Sequence, residues 1–228
     1  MRNLVIGLML SLAAVTAARA LDEQSVRPGV NRNYENPDFE AWAARFEQPQ
    51  RELYARRADV LAASRVRPGM AVADIGAGTG LYTREFAAAV GPSGTVYAVD
   101  IARSFLDGIE RLNRERGITN VRTVLNNPRS VELPEQSIDL AFVAATYHHF
   151  EYPQSTLASI RQALRPRGQL IVIDFRKAPG VSSPWVMQHV RGDQRQTVAE
   201  IEAAGFELVE DLLLLRENFF LRFRPRGK

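Results

Sequence analysis

The chain contains no cysteine. That excludes a disulfide, a thiolate metal site and a cysteine nucleophile together. Histidine is nearly as scarce, with three in 228 residues. Internal repeats and low-complexity tracts are missing as well. Excess charge is small: of 29 Lys and Arg, Arg2 and Arg19 fall in the first twenty residues, and the remaining 27 face 26 Asp and Glu. A net charge of +1 on residues 21–228 carries no signature of nucleic-acid binding. The one long apolar run, residues 4–15, is too short to span a bilayer.

What is present at the start fits a targeting segment. Met1-Arg2-Asn3 is a short positive lead, residues 4–15 are almost wholly apolar, and Ala18-Arg19-Ala20 supplies the small-x-small pattern of a cleavage site. Residues 1–20 are therefore expected to be a secretory signal peptide cut after Ala20, with export to the periplasm and membrane contact only through that segment. Beyond it, 46% hydrophobic and 24% charged residues are values of an ordinary globular protein.

Residues 21–37 carry Pro28-Gly29, Asn31, Asn33 and Asn36 and read as an irregular arm. From residue 38, Phe39, Trp42, Ala43 and Phe46 recur at helical spacing, and Leu53, Tyr54, Val60 and Leu61 suggest a second helix from Pro49 to about Arg65. Such an aromatic face serves either as core or as a lid. Strands at 71–75, 95–100, 120–125, 138–144 and 169–175 then alternate with helices at 79–90, 104–116 and 153–164. This is the pattern of an α/β, Rossmann-like doubly wound sheet, mostly parallel. A helix at 194–204 leads to strands at 206–215 and 219–223, close enough to form a C-terminal antiparallel hairpin. The division is a single domain at 38–228, with an N-terminal helical cap at 38–66 and an α/β core at 67–228.

The stretch Val72-Ala73-Asp74-Ile75-Gly76-Ala77-Gly78-Thr79-Gly80 joins the first strand to its helix. Such a turn offers backbone N–H groups and a helix N-terminus to a nucleotide-like ligand. A dinucleotide fingerprint needs G-x-G-x-x-G, whereas Gly76, Gly78 and Gly80 alternate and residue 81 is leucine. The carboxylate of Asp74 repels a pyrophosphate and attracts an ammonium group. Asp100, ending the second strand 20 residues beyond Gly80, suits the two hydroxyls of a ribose.

These residues resemble a known family. Val72–Gly80 looks like motif I of the class I S-adenosylmethionine-dependent methyltransferases, and residues 96–101 look like their second-strand motif. Residues 133–139 and 164–170 resemble two further segments, and the likeness spans about residues 65–223, closest to the ubiquinone-biosynthesis-type small-molecule methyltransferases. The resemblance implies S-adenosyl-L-methionine as cofactor and a small-molecule acceptor. It implies that Asp74 and the backbone of Gly76, Ala77, Gly78 and Gly80 hold the methionine portion, that Asp100 holds the ribose, and that Ile101 and Asn127 meet the adenine. Ala144, ending the fourth strand, joins the cofactor contacts. Asn127 departs from the usual aspartate, and Asn126 replaces a common glycine.

Methyl transfer is an in-line displacement that depends on alignment, and a general base helps only when the acceptor must lose a proton. Tyr147, His148 and His149, just past the fourth strand, are the candidate catalytic residues, with one histidine as a base titrating near neutrality. The family often has a similar His-His segment with a structural or cofactor-lining role. Tyr82 joins Tyr147 as a candidate flank for the sulfonium, and His189, Arg191 and Asp193 fall where this architecture often builds its acceptor pocket. No metal site is expected: His189 is remote in sequence, and no clustered acids accompany the pair. Two rival readings are a catalytically inert nucleoside-binding module and a nicotinamide-dependent oxidoreductase; the glycine spacing and Asp74 count against the latter.

Overall fold

The computed structural model describes residues 23–180 and 182–227; the signal peptide expected at 1–20 lies outside them. Three helices, α1 (Phe39–Phe46), α2 (Glu52–Ala55) and α3 (Arg57–Ser64), precede the sheet. Its strands are β1 (Ala71–Ile75), β2 (Thr95–Asp100), β3 (Val121–Leu125), β4 (Ile138–Ala144), β5 (Leu164–Phe175), β6 (Phe206–Leu212) and β7 (Asn218–Pro225). The first five run parallel, and β7 pairs antiparallel with both β5 and β6. The crossovers carry α4 (Leu81–Val90), α5 (Arg103–Glu115) and α6 (Pro153–Ala163), and α7 (Pro184–His189) and α8 (Gln194–Ala203) lie between β5 and β6.

All five residues of β1 are buried, which is why the strand reads as an apolar run rather than an alternating one. Val72, Phe86, Val96, Phe142 and Ile171 fill the layer on one face of the sheet; Ala73, Val99, Val143, Leu157 and Ile160 fill the other. The strand order β3-β2-β1-β4-β5-β7-β6 reverses direction between β1 and β4. A doubly wound sheet opens its ligand crevice at that reversal, outside the carboxyl ends of the strands.

Several expected elements differ in detail. The helix expected to run to Arg65 breaks into α2 and α3, because Arg56 sits outside the helical region at φ −102°, ψ 17°. Pro166-Arg167-Gly168 do not end the helix-to-strand turn. β5 already pairs at Leu164 with Ile138, and a register shift before Gln169 pairs with Leu140 absorbs the extra residues. α7 was not expected, although Ser183 caps it through Val186 N–H and Pro184 occupies its first turn. β6 stops at Leu212 rather than residue 215, since the Glu52 carboxylate accepts the N–H groups of Glu217 and Asn218 at 2.9 and 3.1 Å and turns the chain there. The described part of the arm, residues 23–37, is irregular apart from a 3-10 turn at Arg32–Tyr34.

Helix α1 crosses α5 at Gly108, where an added Cβ would fall 2.0 Å from the Phe39 ring. Helix propensity alone favours alanine over glycine by about 1 kcal/mol. Gly108→Ala is nevertheless expected to destabilise the chain by about 1–3 kcal/mol, because overpacking displaces Phe39. The urea midpoint measures this; a midpoint that rises would show that Phe39 does not seat on α5.

Candidate functional site

The crevice at the ends of β1, β2 and β4 is a cavity of about 1020 Å³, counting space open to solvent. Asp74, Gly76, Ala77, Gly78, Asp100, Ile101, Asn127 and Ala144 all line it. Gly80 does not: its φ of 76° turns the chain into α4, and a Cβ there would meet Ile109 at 2.8 Å. Gly76 is required twice over, by its φ of 73° and because a Cβ would lie 2.2 Å from Thr146.

Two buried carboxyl groups face this turn. Asp74 accepts the Thr83 hydroxyl at 2.6 Å, while Asp100 accepts Gly78 N–H and Ala102 N–H, both at 2.8 Å. Burial raises each to about 6, above the usual carboxylate range; for Asp74, Thr83 opposes the rise and the neighbouring Asp100 adds to it. A ligand that brings positive charge and hydroxyl donors relieves both. Asn127 accepts Arg129 N–H through Oδ1 at 2.8 Å and donates to Glu132 at 2.7 Å, leaving one lone pair on its amide oxygen.

The cap closes the other side. Phe39 belongs to the core against Phe105, whereas Phe46 lines the cavity with Tyr34 and Phe105, so the aromatic face of α1 is both core and lid. A staple fixes the lid to the glycine turn: Arg84 donates to both Glu47 oxygens at 2.7 and 2.8 Å, and the Thr79 hydroxyl donates to Glu47 at 2.9 Å. The arm crosses above. Glu23 accepts the N–H groups of Gln154 and Ser155 at the start of α6, at 2.8 and 2.7 Å. Asn31 and Tyr34 of the arm and Arg51 of the cap line the cavity, and sequence reasoning missed all three. The aromatic spacing of α1 was the only local signal of a cover.

The three catalytic candidates separate. They sit on a 3-10 turn, Tyr147–His149, rather than on a strand, so the two imidazoles lie together with ring centres 4.3 Å apart. The Tyr147 hydroxyl is turned away from the cavity and donates to Glu200 at 2.9 Å, and burial raises its pKa well above the usual value. His148 is buried, with Nδ1 2.8 Å from Asp174 Oδ1. Only His149 lines the cavity, and burial lowers it to about 3, with His148 and His189 adding to the fall. It is thus neutral and a weak base, not one titrating near neutrality.

Tyr82 lines the cavity but spends its hydroxyl on the Leu53 carbonyl at 2.8 Å. Arg191 pairs with Glu200, and Asp193 caps α8 through Gln196 N–H, so neither reaches the cavity. His189 comes to the histidine pair, its Nε2 3.3 Å from that of His149, and burial lowers it to about 4. One ground for expecting no metal site therefore changes in the fold: the third histidine, remote in sequence, is adjacent in space, while a single carboxylate, Asp174, accompanies the pair.

A family profile described as a methyltransferase domain matches residues 73–172. The ubiquinone/menaquinone biosynthesis C-methyltransferase UbiE of Burkholderia cenocepacia is 36% identical over 124 residues, covering 54% of this chain and 50% of that protein. The chain thus spans about half the length of such relatives in these matches. The UbiE protein of Bordetella avium is 31% identical over 201 residues, covering 83% of this chain and 77% of that protein. A solved S-adenosylmethionine-dependent methyltransferase from Aquifex aeolicus has the same fold, with a TM-score of 0.73 at 23% identity over 82% of this chain and 98% of that one. The chain belongs to the class I S-adenosylmethionine-dependent methyltransferases, and S-adenosyl-L-methionine is its cofactor.

Proposed function

We propose that this chain transfers a methyl group from S-adenosyl-L-methionine to a small-molecule acceptor by in-line displacement. The observation that carries the reading is the pair of buried carboxyls, Asp74 and Asp100, flanking one glycine turn in one cavity. When bound, the cofactor supplies an electrophilic methyl group. Asp74 is the acceptor for its ammonium group and Asp100 for its ribose hydroxyls; at Gly76 and Gly78 the backbone lets the ligand approach without a Cβ in the way. Ile101 and Asn127 border the adenine end.

The acceptor enters on the side of the cap and arm. Tyr34, Phe46 and Phe105 give that part of the wall an aromatic surface, which suits an apolar or planar molecule. Alignment at about 3 Å is the main demand of the step. The cap and arm exclude water and hold the acceptor, and His149, being neutral and a weak base, orients rather than deprotonates.

Calorimetric titration with S-adenosylhomocysteine tests the assignment. Asp74→Ala removes a charged partner worth about 1.5–3 kcal/mol and is expected to weaken binding more than tenfold. Unchanged affinity, or binding of NADH in preference to S-adenosylhomocysteine, would refute the placement.

The raised carboxyls give a pH signature. Below about pH 6 both take up protons and stop serving as ionised acceptors. Affinity is expected to fall roughly tenfold per pH unit for each carboxylate that must be charged, and to level off above about pH 7. A flat profile from pH 5 to 8 would argue against both contacts.

We also propose export of the protein, from the three-part pattern of residues 1–20. N-terminal sequencing of the periplasmic fraction is expected to begin at Leu21. Full-length protein confined to the cytoplasm would disprove it.

A further inference from the structure

We propose that His148, His149 and His189 form a binding site for one zinc-type divalent metal ion at the wall of the cavity. One nitrogen from each ring lies within 4.8 Å of the others, although His189 comes from the end of α7 and the pair from the turn after β4. The inference is independent of which small molecule occupies the main cavity.

The spacing of His149 and His189 suits the metal, and the His148 nitrogen, within 4.8 Å of both, completes the set by closing on the ion. Two imidazoles bound to tetrahedral zinc at about 2.0–2.1 Å place their nitrogens about 3.3–3.4 Å apart. The Nε2 atoms of His149 and His189 are 3.3 Å apart. A direct hydrogen bond between the rings has the same length, and either arrangement through Nε2 leaves Nδ1 of His149 buried with no partner. Either nitrogen of an imidazole can be the ligand, so that ring has an unused coordinating group inside the protein.

The surroundings orient the ligands. Asp174 holds Nδ1 of His148 and also accepts the backbone N–H groups of His148 and Phe175, at 2.9 and 2.8 Å. A carboxylate accepting one imidazole N–H leaves the other nitrogen of that ring as a lone-pair donor, the arrangement that supports histidine at zinc. Trp185 stacks on His189 with ring centres 4.4 Å apart, which fixes that ring. Arg27 is turned onto the carbonyl oxygens of Gln188 and His189.

Three imidazole nitrogen donors select zinc-like ions over magnesium and calcium, which take oxygen ligands. Three protein ligands also leave a tetrahedral ion one open position. Because His149 lines the cavity, a water or an oxygen of a small molecule there can fill that position.

The test uses the full chain, purified without a histidine tag, stripped with a chelator and returned to zinc chloride. Mass spectrometry of the desalted protein is expected to find about one zinc per chain. Competition with a chromophoric chelator is expected to show loss of the site in His189→Ala and a zinc affinity about 10–100-fold lower in Asp174→Asn. His189 lies outside the cofactor cavity, so His189→Ala is expected to keep its circular dichroism and its S-adenosylhomocysteine affinity, which separates zinc loss from misfolding and from failure of the methyltransferase reading. Cobalt added to the unaltered chain gives a check that needs no variant: an intense visible spectrum of tetrahedral cobalt is expected. No stoichiometric zinc, zinc retained at full affinity in His189→Ala, or the pale spectrum of hydrated cobalt would each overturn the proposal.

Discussion

Asp100 ends β2, and each of its two oxygens accepts one backbone N–H from a different connection, Gly78 in the turn after β1 and Ala102 at the start of α5, with a second lone pair left on each. The Val99 carbonyl adds to this by accepting Gly76 N–H and Ala77 N–H at 2.8 and 3.0 Å. The glycine turn is therefore shaped by the neighbouring strand as much as by its own glycines. The rest of the site depends on that arrangement. It brings the second buried carboxyl, Asp74, into a region already negative, and the folded chain carries the electrostatic cost until a complementary ligand arrives.

Chain segments remote in sequence complete the enclosure around this turn. Glu47 ties the end of α1 to Arg84 and Thr79, and Glu52 binds the loop before β7. Glu23 occupies the N-terminus of α6, so the chain itself fills a position that otherwise attracts anions. In each case an acidic side chain of the N-terminal region meets backbone or cationic groups of the α/β core. The cap is thus part of the same structure, held by charge-assisted hydrogen bonds rather than by apolar packing alone.

The central βαβ units were legible because strand and helix periodicity is local, and buried parallel strands leave unbroken apolar runs such as 71–75 and 138–144. The glycine turn was legible because its three glycines serve backbone geometry, and Asp74 and Asp100 because their places follow from the strand ends. The histidine cluster was not. His189 reaches His149 only through α7, whose position depends on tertiary packing, and Asp174 looked like the end of an ordinary strand. The docking of the arm was equally hidden, since Glu23, Asn31 and Tyr34 show no periodicity and act on partners more than a hundred residues away. Pro166-Arg167-Gly168 kept their irregularity inside β5, which pairs with β4 at Leu164 and again from Gln169 but not at the residues between.

The last strand in the chain is not the last strand in the sheet. β7 lies between β5 and β6, and buries Phe219, Phe220, Leu221 and Phe223 together with Arg222, whose guanidinium reaches Glu210 at 2.7 Å and Gln169 at 2.9 Å. During synthesis, β5 has an open hydrogen-bonding edge until the residues of β7 emerge, and β6 has no neighbour in the sheet at all. Open edges of this kind pair with other chains. Loss of the residues after Leu215 would remove the interior strand β7 and leave β6 without a neighbour in the sheet, and the nascent chain stays vulnerable to misassociation until β7 is made.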